Sequence, residues 1–263
     1  MRRLGFVQRL PAAAIALLAL RPASAGADTV KDELTPTGAL RVAVAISALG
    51  GPFWSAMDAG KPSGVPVDLG AEMARRLDVP VVYETYENSG QITDAAARGE
   101  WDVTFVPIDA ERATKLAFGP VYNAADATYI VRAGLAVRSA EELDRPGMRI
   151  AAVANTTTMR GAQRSLKNVT VAGYQSVDEV VRLLANGSID AFANLRDQLV
   201  PLSRTLPGTR VLPGAFQQTK TAIAVPLGKP AALAYATSFM TDAIAHGLLR
   251  RTLDAHGLHD TPI

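Results

Sequence analysis

The sequence contains no cysteine, only three histidines and only 6% aromatic residues. Without cysteine, disulfides, thiolate chemistry and a lipid anchor on cysteine are all excluded, so stability must come from ordinary hydrophobic cores. With 263 residues and 48% hydrophobic content, the chain can form one large or two modest domains. No Gly-x-Ser-x-Gly motif, phosphate-binding glycine loop or zinc signature occurs, and the sequence predicts no metal, no cofactor and no enzymatic activity.

The apolar run near the N-terminus is too short to cross a bilayer. It covers Pro11–Leu20, ten residues, against about 20 for a spanning helix. Basic residues at Arg2, Arg3 and Arg9 precede it, and the small-x-small pattern of residues 23–25 follows it. Residues 1–25 are therefore predicted to be a secretory signal peptide that is cleaved near Ala25.

An excess of basic charge is also missing from the predicted mature chain. Four of the 27 basic residues lie in the signal peptide, which has no acids, so 23 basic residues remain against 25 acidic ones, a net charge of −2. The sequence therefore gives no compositional support for a nucleic-acid partner.

Two similar α/β units are predicted from short apolar runs that alternate with helical stretches. In the first unit, strands are predicted at residues 40–46, 81–83 and 103–106, with helices after Asp68 and over 89–98. The residue pattern of segment 40–45 recurs at 148–154, and the residue pattern of segment 99–105 recurs at 187–193. Alternating strands and helices predict a parallel sheet in each unit.

The chain is predicted to cross between the two units twice. Residues 123–131 lead out of the first unit, and residues 216–220 lead back to a strand at 221–225. Two crossings make a hinge. We therefore predict lobe 1 at 26–122, completed by 221–263 with helices near 231–246 and 248–255, and lobe 2 at 123–220.

Arg112 stands out in the stretch that follows the predicted strand 103–106. Pro107 breaks this strand, and a helix is predicted with Asp109 as its N-cap and Glu111 in its first turn. A cation in the first turn opposes the helix dipole. Arg112 is thus either an anion receptor beside free backbone N–H groups or half of a surface ion pair with Asp109 or Glu111.

The other candidate residues also leave alternatives open. Phe53 and Trp54, in a predicted loop over residues 47–64, are either a flap on the core or a ligand platform. Asp102 and Asp190 occupy equivalent places in the two units, which favours structural acids over a catalytic pair. His256 and His259 are predicted to belong to a frayed tail rather than a metal site.

Residues 38–257 resemble the bacterial periplasmic solute-binding proteins of ABC importers, the polar amino acid type (family 3 extracellular solute-binding proteins). The segments that carry the resemblance keep the family's order and spacing, at residues 38–44, 64–69, 99–103, 111–112, 116–122, 143–153, 155–157 and 222–228. The resemblance implies an α/β two-lobed periplasmic-binding-protein fold, each lobe a mostly parallel sheet flanked by helices, joined by a two-strand hinge. It also implies a periplasmic monomer that delivers a small ligand to a permease in the inner membrane.

The resemblance also implies a ligand site in the cleft between the lobes. Arg112 matches the arginine that clamps the ligand carboxylate, and Phe53 and Trp54 lie where the family has an aromatic wall. The second-lobe turn that meets the ligand from the other side matches Asn155, Thr156, Thr157 and Thr158. Its N–H groups and hydroxyls would complete the carboxylate site when the lobes close.

Two departures from the family pattern concern the ligand ammonium group. The family usually places an acid for it at the position of Leu195, which follows Asn194, and hydroxyl groups where this chain has Pro107 and Asp109. Asp109 either supplies the missing charge or caps its helix, and Asp109 and Asn194 are both kept as candidate ligand residues. A carboxylate without an ammonium group is therefore a possible ligand. Periplasmic dehydratase-like enzymes on the same scaffold, and receptors that serve a sensor, are the alternative functions.

Overall fold

The computed structural model describes residues 25–47, 49–51 and 54–263. The predicted signal peptide lies outside these residues except for Ala25. The strands are β1 Leu40–Ile46, β2 Trp54–Asp58, β3 Lys61–Ser63, β4 Val81–Tyr86, β5 Val103–Pro107, β6 Leu116–Val131, β7 Ile150–Val153, β8 Val171–Tyr174, β9 Ala191–Leu195, β10 Arg210–Val211 and β11 Gln217–Pro226. The helices are α1 Ala25–Leu34, α2 Val65–Leu77, α3 Ser89–Ala95, α4 Thr157–Ser165, α5 Val177–Ala185, α6 Arg196–Thr205, α7 Pro230–Ala245 and α8 Leu248–Ala255.

The strands form two parallel groups that two long antiparallel strands connect. In the first group β1 runs parallel to β2, β4 and β5, and in the second β7 runs parallel to β8 and β9. Between them, β11 pairs antiparallel with β5 and β6, and β6 pairs antiparallel with β9. The predicted two-lobed α/β fold is therefore confirmed.

The two connecting strands contain the predicted lobe boundaries. β6 is a single strand of 16 residues, and the predicted boundary at 122/123 falls inside it. The boundary at 220/221 falls inside β11, whose register with β6 shifts immediately afterwards, between Thr221 and Ala222. Such an irregularity interrupts the ladder where a hinge has been predicted.

Hydrophobic residues of the helices pack against the first group of strands. Leu40 of β1, Met73 of α2, Phe239 of α7 and Leu253 of α8 belong to one buried cluster. A second cluster contains Tyr129, Ile150 and Ala162, and a third combines residues from both lobes, among them Trp54, Trp101 and Phe192. The third cluster therefore reaches across the two lobes.

Asp102 and Asp190 are structural acids with the same hydrogen-bond pattern in both lobes. Asp102 accepts from the backbone N–H of Arg41 at 3.1 Å and from its guanidinium at 2.9 and 2.8 Å. Asp190 accepts from the same groups of Arg149 at 2.9, 3.0 and 2.9 Å. Each carboxylate thus fixes the start of its strand to the start of the neighbouring one, which excludes a shared catalytic role.

Three predictions of local structure were wrong. Residues 54–63 of the predicted loop form the hairpin of β2 and β3. Helix α2 begins at Val65 rather than after Asp68, because Pro66 fits the first helical turn, where its missing N–H costs nothing. The helix predicted around Asp109 is only one turn of 3-10 helix, Arg112–Thr114, because β6 starts at Leu116 and draws the chain back into the sheet.

Candidate functional site

Arg112 points into the protein directly after the carboxyl end of β5. The backbone N–H of Arg112 donates to Oδ1 of Asp109 at 2.9 Å, although the N-cap of the 3-10 turn is Glu111 rather than the predicted Asp109. This bond closes the short turn and directs the Arg112 side chain inward, where only 1% of it remains exposed. The alternative of a solvated surface ion pair is therefore wrong.

Among the described residues, the hydrogen-bond acceptors of the Arg112 guanidinium are uncharged oxygens. Nη1 donates to the carbonyl of Pro107 at 2.9 Å, and Nη2 donates to Oγ of Ser89 at 2.6 Å and to the carbonyl of Asn155 at 3.5 Å. Its Nε is buried and has no hydrogen-bond partner within the described part of the chain. Burial lowers the pKa of Arg112 to about 10, so the group stays protonated at neutral pH.

The N-terminus of α3 brings Ser89 to Arg112 and contacts the second lobe. Asn88 caps this helix, and its Oδ1 accepts from the N–H groups of Gly90 at 2.8 Å and of Gln91 at 3.0 Å. The Nδ2 of Asn88 donates to the carbonyl of Gln175, beyond the lobe 2 strand β8, at 2.7 Å. A capping residue of the first lobe therefore also holds the second.

The predicted threonine turn forms the N-terminus of α4 and faces Arg112. Asn155 has a positive φ of 57°, and Thr156 caps the helix by accepting from the N–H of Met159 at 3.1 Å. Thr157 and Thr158 are buried in the first turn. A helix N-terminus thus directs its free N–H groups towards the cleft from the second lobe.

Most of the predicted site residues surround one small cavity. It is lined by Trp54, Ser89, Pro107, Val153, Thr156, Thr157, Thr158 and Asn194. Its volume is about 10 Å³, the room for about one water molecule. Arg112, Asp109 and Asn155 contact lining residues or each other, whereas Phe53 lies outside the described residues.

Asn194 presents an unused donor at this cavity. It lies in β9 with 5% of its surface exposed. Its Oδ1 accepts from the N–H of Leu195 at 2.8 Å, and its Nδ2 is buried without a partner. Leu195, the position where the family usually has an acid, belongs to the hydrophobic cluster that spans the lobes.

Asp109 binds the second lobe as well as its own turn. Its Oδ2 accepts from the hydroxyl of Thr157 and from the guanidinium of Arg160, both on α4. Burial opposes ionisation of Asp109, but the hydrogen bonds from Thr157, the Arg112 N–H and Arg160 outweigh it and lower the pKa of this carboxyl. Glu111 adds an ion pair with Arg160 at 3.1 Å.

Sequence reasoning did not identify Ser89, Arg160 or Gln198 as residues of the cleft. Ser89 follows the capping Asn88, and Arg160 lies three residues after Thr157 on the same helical face, so the sequence contained a weak signal for both. Gln198 is fully buried and donates to the carbonyl of Gly50 in the other lobe at 2.5 Å. No local pattern marks this contact.

A wider groove of about 820 Å³ also lies between the lobes. Its lining residues include Glu87 and Gln91 of the first lobe and Ser176, Asp178 and Arg182 of the second. Glu87 and Gln91 flank the cap of α3 in the sequence, so the groove borders the site. It does not include Arg112 or the threonine turn, and we place the candidate site at the smaller cavity.

The two C-terminal histidines have separate partners. His256 contacts Asp68 at 2.8 Å, and His259 contacts Asp254 at 3.3 Å. Within the described part of the chain, no three His, Cys, Asp or Glu residues come together in a way that could hold a metal. None of the helices described for this chain combines the length and apolar character that crossing a bilayer requires.

Comparisons with known proteins match both the sequence and the fold. The family "Bacterial extracellular solute-binding proteins, family 3" matches residues 42–258. No curated protein gives a significant sequence match.

Solved structures resemble the chain over most of its length. The P235GK mutant of ArgBP from T. maritima has 22% identity and a TM-score of 0.75, with 86% of this chain and 98% of that chain covered. The ancestral amino acid-binding protein AncCDT-1, a precursor of cyclohexadienyl dehydratase, has 23% identity, a TM-score of 0.73 and coverage of 85% and 97%. The substrate binding protein of an amino acid ABC transporter has 19% identity, a TM-score of 0.73 and coverage of 83% and 98%. At these identities the likeness shows the fold.

Proposed function

The chain belongs to the bacterial extracellular solute-binding proteins of family 3, and from this membership we propose that it is the receptor of an ABC importer. In this role it captures a small carboxylate-bearing solute, an amino acid or a related organic acid, in the cleft between its lobes. It then delivers the solute to a permease in the inner membrane. The predicted signal peptide supports a periplasmic location.

The observation that carries this proposal is the buried cation at the cleft. Arg112 is protonated, and its Nε lacks a partner although it is buried. A buried donor without an acceptor costs free energy, and a carboxylate is the group that guanidinium nitrogens bind best. The N-terminus of α4 faces the same cavity from the other lobe, and its free N–H groups also favour an anion.

Capture requires the lobes to separate. A cavity of about 10 Å³ has room for about one water molecule, so a solute can enter only when the contacts between the lobes open. The contacts that hold the cleft closed include Asn88 with Gln175, Gln198 with Gly50, and Asp109 with Arg160. The two connecting strands β6 and β11 are the proposed hinge, with lobes at 26–122 plus 221–263 and at 123–220.

The solved relatives support a binding role. One is described as the substrate binding protein of an amino acid ABC transporter, and another as the arginine-bound form of ArgBP. The precursor of cyclohexadienyl dehydratase makes an enzyme on this scaffold the second candidate. An enzyme needs a general acid or base at its substrate. The described residues that line the cavity are aromatic, aliphatic, hydroxyl and amide residues without a titratable group near neutral pH, which favours binding without turnover.

A ligand screen tests the proposal. We expect the melting temperature of the purified protein to rise with a cognate solute in a screen of amino acids, dicarboxylates and small organic acids. Ligand at a hundredfold excess over its Kd stabilises the folded state by about 2.7 kcal/mol. Mass spectrometry after incubation should recover the solute unchanged, and its conversion would support the enzyme instead.

Arg112 variants locate the site. Replacing Arg112 by Gln removes two charge-assisted hydrogen bonds, about 3 kcal/mol, and should weaken binding about 100-fold by calorimetry. Arg112→Lys keeps the charge without the planar fork and should bind with intermediate affinity. The control is Arg75→Gln, on the exposed face of α2, which should bind like the parent. Unchanged affinity in folded Arg112→Gln, or no binding in the whole screen, contradicts the proposal.

A further inference from the structure

We infer that the solute is a carboxylate that carries no ammonium group beside its carboxylate. This inference rests on the proposed function and narrows its substrate class. The polar atoms that remain unpaired at the cavity are the starting point, because a bound solute has to satisfy them.

The unpaired atoms that belong to Arg112 and Asn194 are both donors. Nε of Arg112 and Nδ2 of Asn194 are buried, and neither has a hydrogen-bond partner among the residues that the structure describes. Each therefore needs an acceptor from the solute. The N-terminal turn of α4 contributes further N–H groups from the second lobe. A carboxylate offers acceptors to all of these groups, whereas an ammonium group offers only more donors.

The acids near the cleft are committed to other groups. Oδ1 of Asp109 accepts from the N–H of Arg112, and Oδ2 accepts from Thr157 and Arg160. Glu111 is largely exposed and pairs with Arg160. Asp197 lies at the start of α6, where its carboxylate accepts from the backbone N–H groups of Gln198 and of Asp197 itself. Desolvation of this carboxyl raises the pKa of Asp197 to about 6, and its Oδ2 would lie 3.5 Å from a Cβ added to Gly51. None of these acids is a lining residue of the cavity.

Residues 48, 52 and 53 lie outside the described part of the chain. Ala48, Pro52 and Phe53 are not acidic, so none can supply a carboxylate. An ammonium group at this cavity would therefore find no acid among the described lining residues, and it would lie near the positive charges of Arg112 and Arg160. Burial of a charge without its partner weakens binding by about 100-fold or more.

Matched pairs of solutes test the inference on the unaltered protein. Calorimetry compares each amino acid with its deaminated counterpart, for example glutamate with glutarate and alanine with propionate. We expect the deaminated member of the binding pair to bind at least about 100-fold more tightly. A tighter amino acid overturns the inference but leaves the proposed function standing. No binding by either member of any pair overturns both.

Asn194 provides a second test because aspartate has almost the same shape as asparagine. Asn194→Asp keeps the oxygen that accepts from Leu195, but it replaces the unpaired donor by a negative charge. We expect it to lose at least about tenfold in affinity for the deaminated acid and to gain affinity for the amino acid.

The matched control for this variant is Asn186→Asp. Asn186 is an exposed residue of the same lobe, and its Oδ1 likewise accepts from a backbone N–H, that of Ser188, at 2.9 Å. It should bind like the parent. If Asn194→Asp melts far below the parent, Asn194→Ala takes its place; it removes the donor without adding charge and should weaken binding of the deaminated acid without strengthening binding of the amino acid. Full affinity for the deaminated acid in both Asn194 variants would overturn the inference.

Discussion

Gly90 lies where α3 of the first lobe meets the turn before α4 of the second. A Cβ added to Gly90 would lie 2.6 Å from Cβ of Asn155 and 2.9 Å from the carbonyl oxygen of Asn155. Carbon atoms pack at about 3.5–4.0 Å, so the alanine variant must push the lobes apart by about 1 Å at this point. The φ of Gly90 is not in the left-handed region, and the open protein should tolerate alanine.

We therefore expect Gly90→Ala to weaken solute binding by opposing closure. Overpacking of this kind costs about 1–3 kcal/mol, which corresponds to about 5- to 150-fold in Kd. Calorimetry with the cognate solute measures the loss, and thermal unfolding without solute measures the stability of the lobes. The added Cβ also comes within 2.9 Å of Oδ1 of Asn88, so a small loss of capping, about 1 kcal/mol, is expected in that second measurement.

A second substitution tests the cause of this loss. Asn155 has a positive φ of 57°, so Asn155→Gly is conformationally favourable and removes the clashing Cβ. The double variant Gly90→Ala with Asn155→Gly should recover part of the affinity, because only the clash with the carbonyl oxygen remains. Asn155→Gly alone should bind about as well as the parent. Parent-like binding by Gly90→Ala, or no recovery in the double variant, would refute the closed geometry described here.

Two further predictions concern ion pairs. Asp109→Asn should weaken the closed state because it removes the negative charge that pairs with Arg160. The pKa of Asp109 is lowered in the closed protein, so the stabilisation by its charge is fully present above the ordinary carboxyl pKa of 3.8. This stabilisation is lost as the pH falls through the lowered pKa. The solute affinity of the parent should therefore fall when the pH is lowered below 3.8, while the affinity of Asp109→Asn changes less. Equal pH profiles of the two proteins would contradict the role of the Asp109 charge in closure. Asp102→Asn should destabilise the protein by about 3 kcal/mol in urea unfolding, because Asp102 is fully buried and Arg41 would lose its counter-ion. The surface variant Asp94→Asn loses only an exposed ion pair with Lys115, so its free energy of unfolding should stay within about 1 kcal/mol of that of the parent. Equal losses of stability in Asp102→Asn and Asp94→Asn would show that burial does not determine the size of the loss.

Sequence reasoning located the elements that depend on neighbouring residues. β1 begins and ends where its apolar run predicted, and the helix predicted over 89–98 is α3 with one further 3-10 turn that ends at Gly99, whose φ is +65°. Ser176 caps α5 by accepting from the N–H of Glu179, three residues further along the chain. The repeat of Asp102 at Asp190 was also visible in the sequence, because each acid starts a strand in its own lobe.

The errors arose where distant parts of the chain decide the local structure. The segment after Asp109 has the cap of a helix, yet pairing of Leu116 with Pro226 in β11 leaves room for only one turn. Residues 54–63 contain Gly and Pro, which favour a loop, but pairing of β2 with β1 and β3 makes them a hairpin. In both cases hydrogen bonds to other strands outweigh the local preference.

The sequence by itself determined the two α/β lobes, the choice of Arg112 as a candidate and the absence of an acid at Leu195, because these depend on residue type and on periodicity along the chain. Only the tertiary structure decided how the cleft is held closed. Asp109 and Arg160 are 51 residues apart, and Gln198 and Gly50 are 148 residues apart. Such pairs form only when the lobes come together, and this approach buries Arg112 and leaves its Nε and the amide of Asn194 as donors without acceptors.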